Sequence, residues 1–198
     1  MTVLVRIDQD IHNTQQAIAD VISRIDNIHL EYSEAIARAT QQQLLLAAFK
    51  FCTQKCPHAF LGLSLSGRQK LQAELRNTVN SLREQIQSKL EQCDRESRTN
   101  QENLDQLLGN LLDESTQSIN QLFVTHKILP EGADSQTLKM TIRLAEIEFT
   151  DRHVMSHRGE LRVLSARLAH LHKELEKKYQ QKTIAEAEAA WRAIWMEE

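Results

Sequence analysis

Two cysteines and a histidine lie close together where the first long apolar repeat of the chain ends. Cys52 and Cys56 are four residues apart, so they would share one face of a helix, and His58 follows two residues later. Thiolates and imidazoles bind zinc, but a tetrahedral site needs a fourth ligand, and no second Cys/His pair accompanies these residues. We therefore expect both cysteines to act as small apolar residues, with a metal or redox role as the alternative.

Two other pairs have the spacing of metal motifs without completing them. His153 and His157 are four residues apart, but Val154 stands where the zinc protease motif has glutamate. Asp26 and His29 only loosely resemble half of a di-iron motif, which needs two Glu-x-x-His units and two further glutamates. The sequence also has no glycine-rich phosphate loop and no nucleophile elbow. We expect no cofactor and no enzymatic activity.

The segment that follows the cysteines is unusually apolar for a connection between helices. Residues 58–65 read His-Ala-Phe-Leu-Gly-Leu-Ser-Leu, and its large apolar residues are Phe60, Leu61, Leu63 and Leu65. In one interpretation, these side chains pack over the end of a helical bundle. In the other, they bind a partner or insert shallowly into a membrane.

Both tryptophans of the chain lie one helical turn apart near the C-terminus. Trp191 and Trp195 flank Ile194, and tryptophan is enriched at the energetic centres of protein interfaces. These residues either pack within the chain and hold its last turn, or they anchor a partner or a second protomer.

Composition favours helices over strands. Five glycines and two prolines in 198 residues leave few tight turns, and aromatic residues make up only 5%. A thin bundle needs few aromatics, because Leu, Ile and Ala fill its seam.

The charge distribution disfavours one class of partner and leaves another open. The net charge of −3 gives no general attraction to nucleic acid or anionic lipid. Residues 138–182 are nevertheless basic, which keeps a membrane-surface role open and nucleic acid as a weaker alternative. The N-terminus lacks a signal-peptide pattern, and the longest strongly apolar stretch, 44–49, is too short to span a bilayer. We expect a cytoplasmic protein with reduced cysteines.

The hydrophobic repeat predicts a first helix over about residues 5–55. Apolar residues recur at alternating steps of three and four for more than six heptads, which indicates a coiled-coil seam. The seam positions are Leu4, Ile7, Ile11, Thr14, Ile18, Val21, Ile25, Ile28, Tyr32, Ala35, Ala39, Gln42, Leu46 and Phe49.

A second and a third helix are predicted over about 67–128 and 136–196. The second follows eleven-residue steps, with a capping box at Ser66 and Gln69 and a polar centre near 93–109 that predicts a kink or local opening. The turn after Pro130 contains Asp134 and Ser135, either of which can cap the third helix.

These elements predict a single all-α domain over residues 1–198. Three helices of similar length, joined by connections at about 56–66 and 129–135, should form an elongated antiparallel three-helix coiled-coil bundle that runs up, down and up. Because a slender bundle exposes much surface, we also expect a homo-oligomer.

The favoured function is a non-enzymatic coiled-coil scaffold or adaptor that mediates protein–protein interaction. Its expected contact residues are Phe60, Leu61, Leu63, Leu65, Trp191, Ile194 and Trp195. A membrane-surface or curvature-associated helical dimer is the first alternative, by analogy of shape alone. A metal-binding helical bundle at the Cys/His positions is the second.

Overall fold

The computed structural model of the chain describes residues 3–93, 100–130 and 139–195. These residues confirm the all-α prediction, since none of them forms a strand. They fall into two compact units. Unit 1 lies within residues 1–28 and 160–198, and unit 2 comprises residues 29–159.

Six α-helices and one π-helical turn make up the described chain. In order they are α1 (Val3–Lys50), the π-helical turn (Phe51–Lys55), α2 (Pro57–Gly62), α3 (Leu65–Glu91), α4 (Gln101–Thr125), α5 (Leu144–Thr150) and α6 (Arg152–Trp195).

The expected second helix, 67–128, is instead two helices that run in opposite directions. Side chains of α3 and α4 pair near both ends of the two helices: His126 Nε2 lies 2.7 Å from Glu74 Oε2, and Lys89 Nζ lies 3.6 Å from Glu114 Oε2. The sequence midpoint of each pair lies near residue 100, so the chain reverses its direction between α3 and α4. Asn100 begins α4, because its side-chain oxygen accepts hydrogen bonds from two amides of the first turn.

Unit 2 contains four antiparallel passes of the chain, whereas three helices were expected over residues 1–198. The first reversal joins α1 to α3, which are linked by Gln41 and Asn80 through a 2.7 Å hydrogen bond. After α4 the chain turns back, and the Asn120 side chain exchanges two 2.9 Å hydrogen bonds with the backbone of Met140. Arg158 of α6 then contacts Asp105, near the beginning of α4.

Several helix ends differ from the prediction. The cap of α3 is Ser64, whose Oγ accepts from the Gly67 amide at 3.0 Å, rather than Ser66. The expected third helix begins at Leu144 instead of 136 and is interrupted at Asp151, whose carboxylate caps α6. The expected caps at 134 and 135 lie outside the described residues.

The predicted seam of α1 is confirmed as the inward face up to Ala39 and is wrong beyond it. Val21, Ile25 and Tyr32 are buried, whereas Leu46 and Phe49 are exposed. Gln42 is exposed as well. A straight helix has 3.6 residues per turn, so a strict heptad drifts around it, and the buried positions move to Leu44 and Ala48 at steps of four.

The core of unit 2 includes a cluster near the reversal between α1 and α3. The Phe51 and Phe123 rings stack there with centroids 5.1 Å apart. Burying such side chains stabilises the unit by roughly 1.5–3 kcal/mol each. The buried members of the cluster are Leu44, Ala48, Phe51, Cys52, Cys56, Leu71, Val79, Ile119, Phe123, Ile128, Leu129 and Met140.

Unit 1 is an antiparallel pair formed by the first part of α1 and the last part of α6. Its apolar interior contains Val21, Ile25 and Leu161. Towards the start of α1 the contacts become polar, because Lys178 Nζ lies 2.6 Å from Thr14 Oγ1 and Lys182 Nζ lies 2.7 Å from Asp8 Oδ1. Among the described residues, no helix combines the length and the hydropathy needed to cross a bilayer.

Candidate interaction site

The site begins with a π-helical turn at the end of α1. The amide of Cys56 donates to the carbonyl of Phe51 at 2.9 Å, five residues back, which adds a residue to the turn. Phe51 and Cys52 are both buried, whereas Phe49 is 60% exposed. The wider turn therefore ends the regular helix at a point where apolar side chains face both the core and the surface. We refer to residues 49–70 as the tip.

A short helix and a single arginine give the tip its shape. Pro57 begins α2, where its fixed φ fits and its missing amide proton is not needed. Arg68 donates to the carbonyl of Leu63 at 3.1 Å and to that of Leu61 at 3.0 Å, both at the end of α2. Its guanidinium also lies 5.8 Å from the centre of the Phe60 ring. Arg68 thus satisfies carbonyls that α2 leaves unpaired and fixes the position of Phe60.

An apolar cleft of about 260 Å³ opens beside the tip. This volume is below the roughly 300–1,000 Å³ that is typical of small-molecule sites, and it fits one or two large side chains better than a cofactor. Its lining residues are Leu45, Ala48, Phe49, Cys52, Thr53, Phe60, Leu71, Gln72, Leu75 and Arg76.

The expected contact residues of the tip have two different environments. Phe60 and Leu63 are half-buried and pack against the core of unit 2, as the bundle-end interpretation requires. Leu61 is 62% exposed and Leu65 is 71% exposed, so these two remain available to a partner. The sequence did not predict that Phe49 belongs with them, because the heptad placed it in the seam.

The charge of the tip has a single sign. Residues 49–70 contain four Lys or Arg and no Asp or Glu. Lys50, Lys55 and Lys70 are exposed. Clustered cations beside exposed apolar side chains raise the affinity for anionic partners. The sequence contains this run of cations, but the net charge of −3 for the whole chain gives no sign of it.

The two cysteines of the tip face the core. Cys52 and Cys56 are buried free thiols, whereas His58 is exposed. Burial, with a smaller contribution from the neighbouring thiol, raises the pKa of Cys52 to about 11, and burial also raises the pKa of Cys56. A protonated thiol is a poor nucleophile and a poor metal ligand. Within the described residues, no group of three or more His, Cys, Asp or Glu side chains could hold a metal ion.

The histidines named by the sequence lie in separate environments. His29 is buried, and its Nε2–H donates to the carbonyl of Leu90 at 2.7 Å, near the end of α3. His153 and His157 stack with ring centroids 6.5 Å apart, and His157 Nδ1 lies 3.6 Å from Glu31 Oε2. His29 therefore contributes to the interior of unit 2, while the other pair lines a surface groove beside α1.

The C-terminal aromatic residues lie in unit 1 and are exposed. Trp191 and Trp195 are 64% and 72% exposed, and their rings are 6.1 Å apart. Ile194 is 70% exposed. The described part of the chain therefore does not pack over them, in contrast to the interpretation that they pin the last helical turn.

The buried Arg158 is a feature of unit 2 that no sequence pattern predicted. Arg158 is 3% exposed and contacts the carboxylates of Asp105 and Glu148, the latter at 3.3 Å, with its guanidinium 5.9 Å from the centre of the Tyr32 ring. These groups come from α1, α4, α5 and α6, so no local motif contains them. The arrangement joins four helices of unit 2 and leaves little room for a substrate, which indicates a structural role.

No protein family, curated protein or solved structure matches this chain.

Proposed function

We propose that this protein is a non-enzymatic helical scaffold that binds a partner protein through the tip and its cleft. The observation that carries the proposal is the combination, in one segment, of an apolar cleft with the exposed side chains of Phe49, Leu61 and Leu65. Soluble proteins cover most of their large apolar groups, and a contiguous group that stays exposed is typical of an interaction site.

The cations of the tip favour an acidic partner. An amphipathic helix could place one large apolar side chain in the cleft and its acidic residues near Lys50 and Lys55, both of which are exposed. Charge complementarity of this kind increases the rate of association and excludes basic partners.

A cytoplasmic location belongs to the same proposal. Cys52 and Cys56 are free thiols, which fits a reducing compartment. A homo-oligomeric state also belongs to it, because the helix pair of unit 1 presents more surface than its own side chains cover.

Site-specific photo-crosslinking in the native host tests the proposal. A photoreactive phenylalanine analogue replaces Phe49, and a matched control carries it at Phe149, which is also in unit 2 and is 82% exposed. We expect a discrete protein adduct from position 49 and none from position 149. The adduct should weaken when Lys50 and Lys55 are both changed to glutamate, because the acidic partner is then repelled.

Two results would contradict the proposal. Equal adducts from both positions would show that exposure alone causes the crosslinking. A position 49 adduct that is unchanged by Lys50→Glu with Lys55→Glu would contradict the acidic character of the partner.

An anionic membrane surface is the second candidate, and the same cations favour it. Leu61, Leu65 and Lys70 are all exposed, and segments that insert shallowly between lipid headgroups combine such apolar and cationic side chains. Flotation with phosphatidylserine vesicles at low salt tests this function. Binding that is lost in a Leu61→Asp, Leu65→Asp variant would support it, and absence of binding would leave the protein partner as the function.

A further inference from the structure

The last part of α6 carries a second heptad stripe on the face turned away from α1. Ile184, Ala187, Trp191 and Ile194 follow steps of three, four and three, which is the spacing of a coiled-coil seam. Lys182, which contacts Asp8 of α1, lies about 200° around the helix from Ile184. We refer to these four residues together with Trp195 as the C-terminal stripe.

The stripe is exposed because it lies on the face of α6 turned away from α1, and the end of α6 has no described α1 beside it either. The pairing of Lys182 with Asp8 sets an antiparallel register, and α1 begins at Val3, only five residues before Asp8. From about residue 188 onward, α6 therefore has no described α1 backbone beside it. Ile184 is 59% exposed, and the other large residues of the stripe are more exposed than that.

We propose that the C-terminal stripe is the homodimer interface of this protein, in which α6 of one copy pairs with α6 of a second copy in antiparallel orientation. This inference rests on the homo-oligomeric state proposed above and assigns it to a surface other than the tip. A two-fold axis level with Ala189 places Trp191 of each copy opposite Ala187 of the other, and Ile184 opposite Ile194. Each of these layers then pairs a large residue with a small one, or two isoleucines with each other, as in a seam whose side chains interdigitate.

The charges of this segment suit pairing with itself. Residues 180–195 contain Lys182 and Arg192 against Glu186 and Glu188, so their formal charges sum to zero. Within this range, opposite charges of two copies can therefore face each other. In the proposed register, Glu188 of one copy lies within about 3 Å along the axis of Arg192 of the other. Glu188 and Arg192 already form a 3.2 Å pair within one helix, so they can exchange partners across the interface.

The apolar area is sufficient for a small specific dimer. Tryptophan buries up to about 250 Å² when it is fully enclosed, so the two tryptophans and two isoleucines offer roughly 500–600 Å² per copy. The two copies together bury about 1,000–1,200 Å², which is the lower limit for specific interfaces. We expect the dissociation constant of the dimer to be in the micromolar range.

Sedimentation equilibrium of the full chain tests the proposal. Between about 1 and 100 µM, we expect the mass to rise from 22.8 kDa towards twice that value. Trp191→Glu should weaken the dimer at least about thirtyfold, as expected for a central interface tryptophan. Ala187→Arg should also disrupt it, whereas Ala193→Arg, the same change on another face of the same exposed segment, should not.

Cysteine crosslinking tests the orientation in a Cys93→Ser background. Glu188→Cys lies near the proposed two-fold axis and should form a disulfide between copies. Gln180→Cys lies about 27 Å from its counterpart in the antiparallel pair, but beside it in a parallel pair. A monomeric mass at every concentration, a dimer unaffected by Trp191→Glu, or crosslinking only through position 180 would each overturn the proposal.

Discussion

Replacement of Arg158 by methionine should destabilise unit 2 more than any change at its surface. The Arg158 side chain is 4% exposed, and the side chains of Asp105 and Glu148 beside it are 47% and 21% exposed. Removal of the cation takes the Arg158 charge away from the largely enclosed Glu148 side chain. The half-exposed Asp105, in contrast, can be solvated by water.

The size of the expected loss in stability follows from the different exposure of Asp105 and Glu148. Loss of one partner of a buried ion pair costs about 3–5 kcal/mol, and the partial exposure of Asp105 places Arg158→Met at the lower end, near 3 kcal/mol. Lys89→Met is the matched control, because Lys89 pairs with Glu114 between two helices of the same unit while both side chains are largely exposed. An exposed pair contributes less than about 1 kcal/mol.

Urea unfolding, followed by far-ultraviolet circular dichroism and by amide hydrogen exchange of α4, measures both variants. A further change, Glu148→Leu in the Arg158→Met background, should recover part of the lost stability because it removes the enclosed carboxylate. Equal losses for Arg158→Met and Lys89→Met would refute the reasoning, as would a further loss from Glu148→Leu in that background.

Two further predictions concern ionisable groups. The hydrogen bond to His126 lowers the pKa of Glu74 below its ordinary value of 4.5, so the stabilisation that Glu74→Gln removes should be complete above pH 4.5 and disappear as the pH falls through the lowered pKa. Urea midpoints of both proteins between pH 3 and 6 measure this difference, and a difference that grows towards low pH would contradict it. The pKa of Cys52, about 11, leaves roughly one thiolate in a thousand at pH 8. A thiol reagent should therefore modify Cys93 first in the folded protein and all three cysteines in urea, and equal rates in the folded protein would contradict this.

Periodicity predicted which residues face inward better than it predicted where helices end. In α3 and α4, positions such as Leu71, Leu90, Leu104 and Ile119 are buried as the eleven-residue pattern requires. The same pattern continues in phase through Cys93. It therefore predicted a kinked single helix where the chain in fact reverses. The polar seam and Asn100, a good helix cap, were the local signals for a break.

Two parts of the structure depend on contacts that a single helix pattern does not contain. Residues 44–52 are apolar on several faces, so periodicity could not decide between Phe49 and Phe51 as the buried ring. The stacking of Phe51 on Phe123 and the π-helical turn decide it. From the sequence alone, Arg158 is indistinguishable from an exposed charge on a helix, because its carboxylate partners are 53 and 10 residues away.

The two exposed apolar surfaces differ in the features that select a partner. The C-terminal stripe is regular, heptad-spaced and neutral, so the same sequence can satisfy both sides of an interface. The tip is irregular and cationic, and two copies of it would repel each other across any direct contact. Self-association is therefore expected at the stripe, and recognition of a different, acidic molecule at the tip. A Trp191→Glu variant that loses the dimer but keeps the position 49 adduct would separate the two functions.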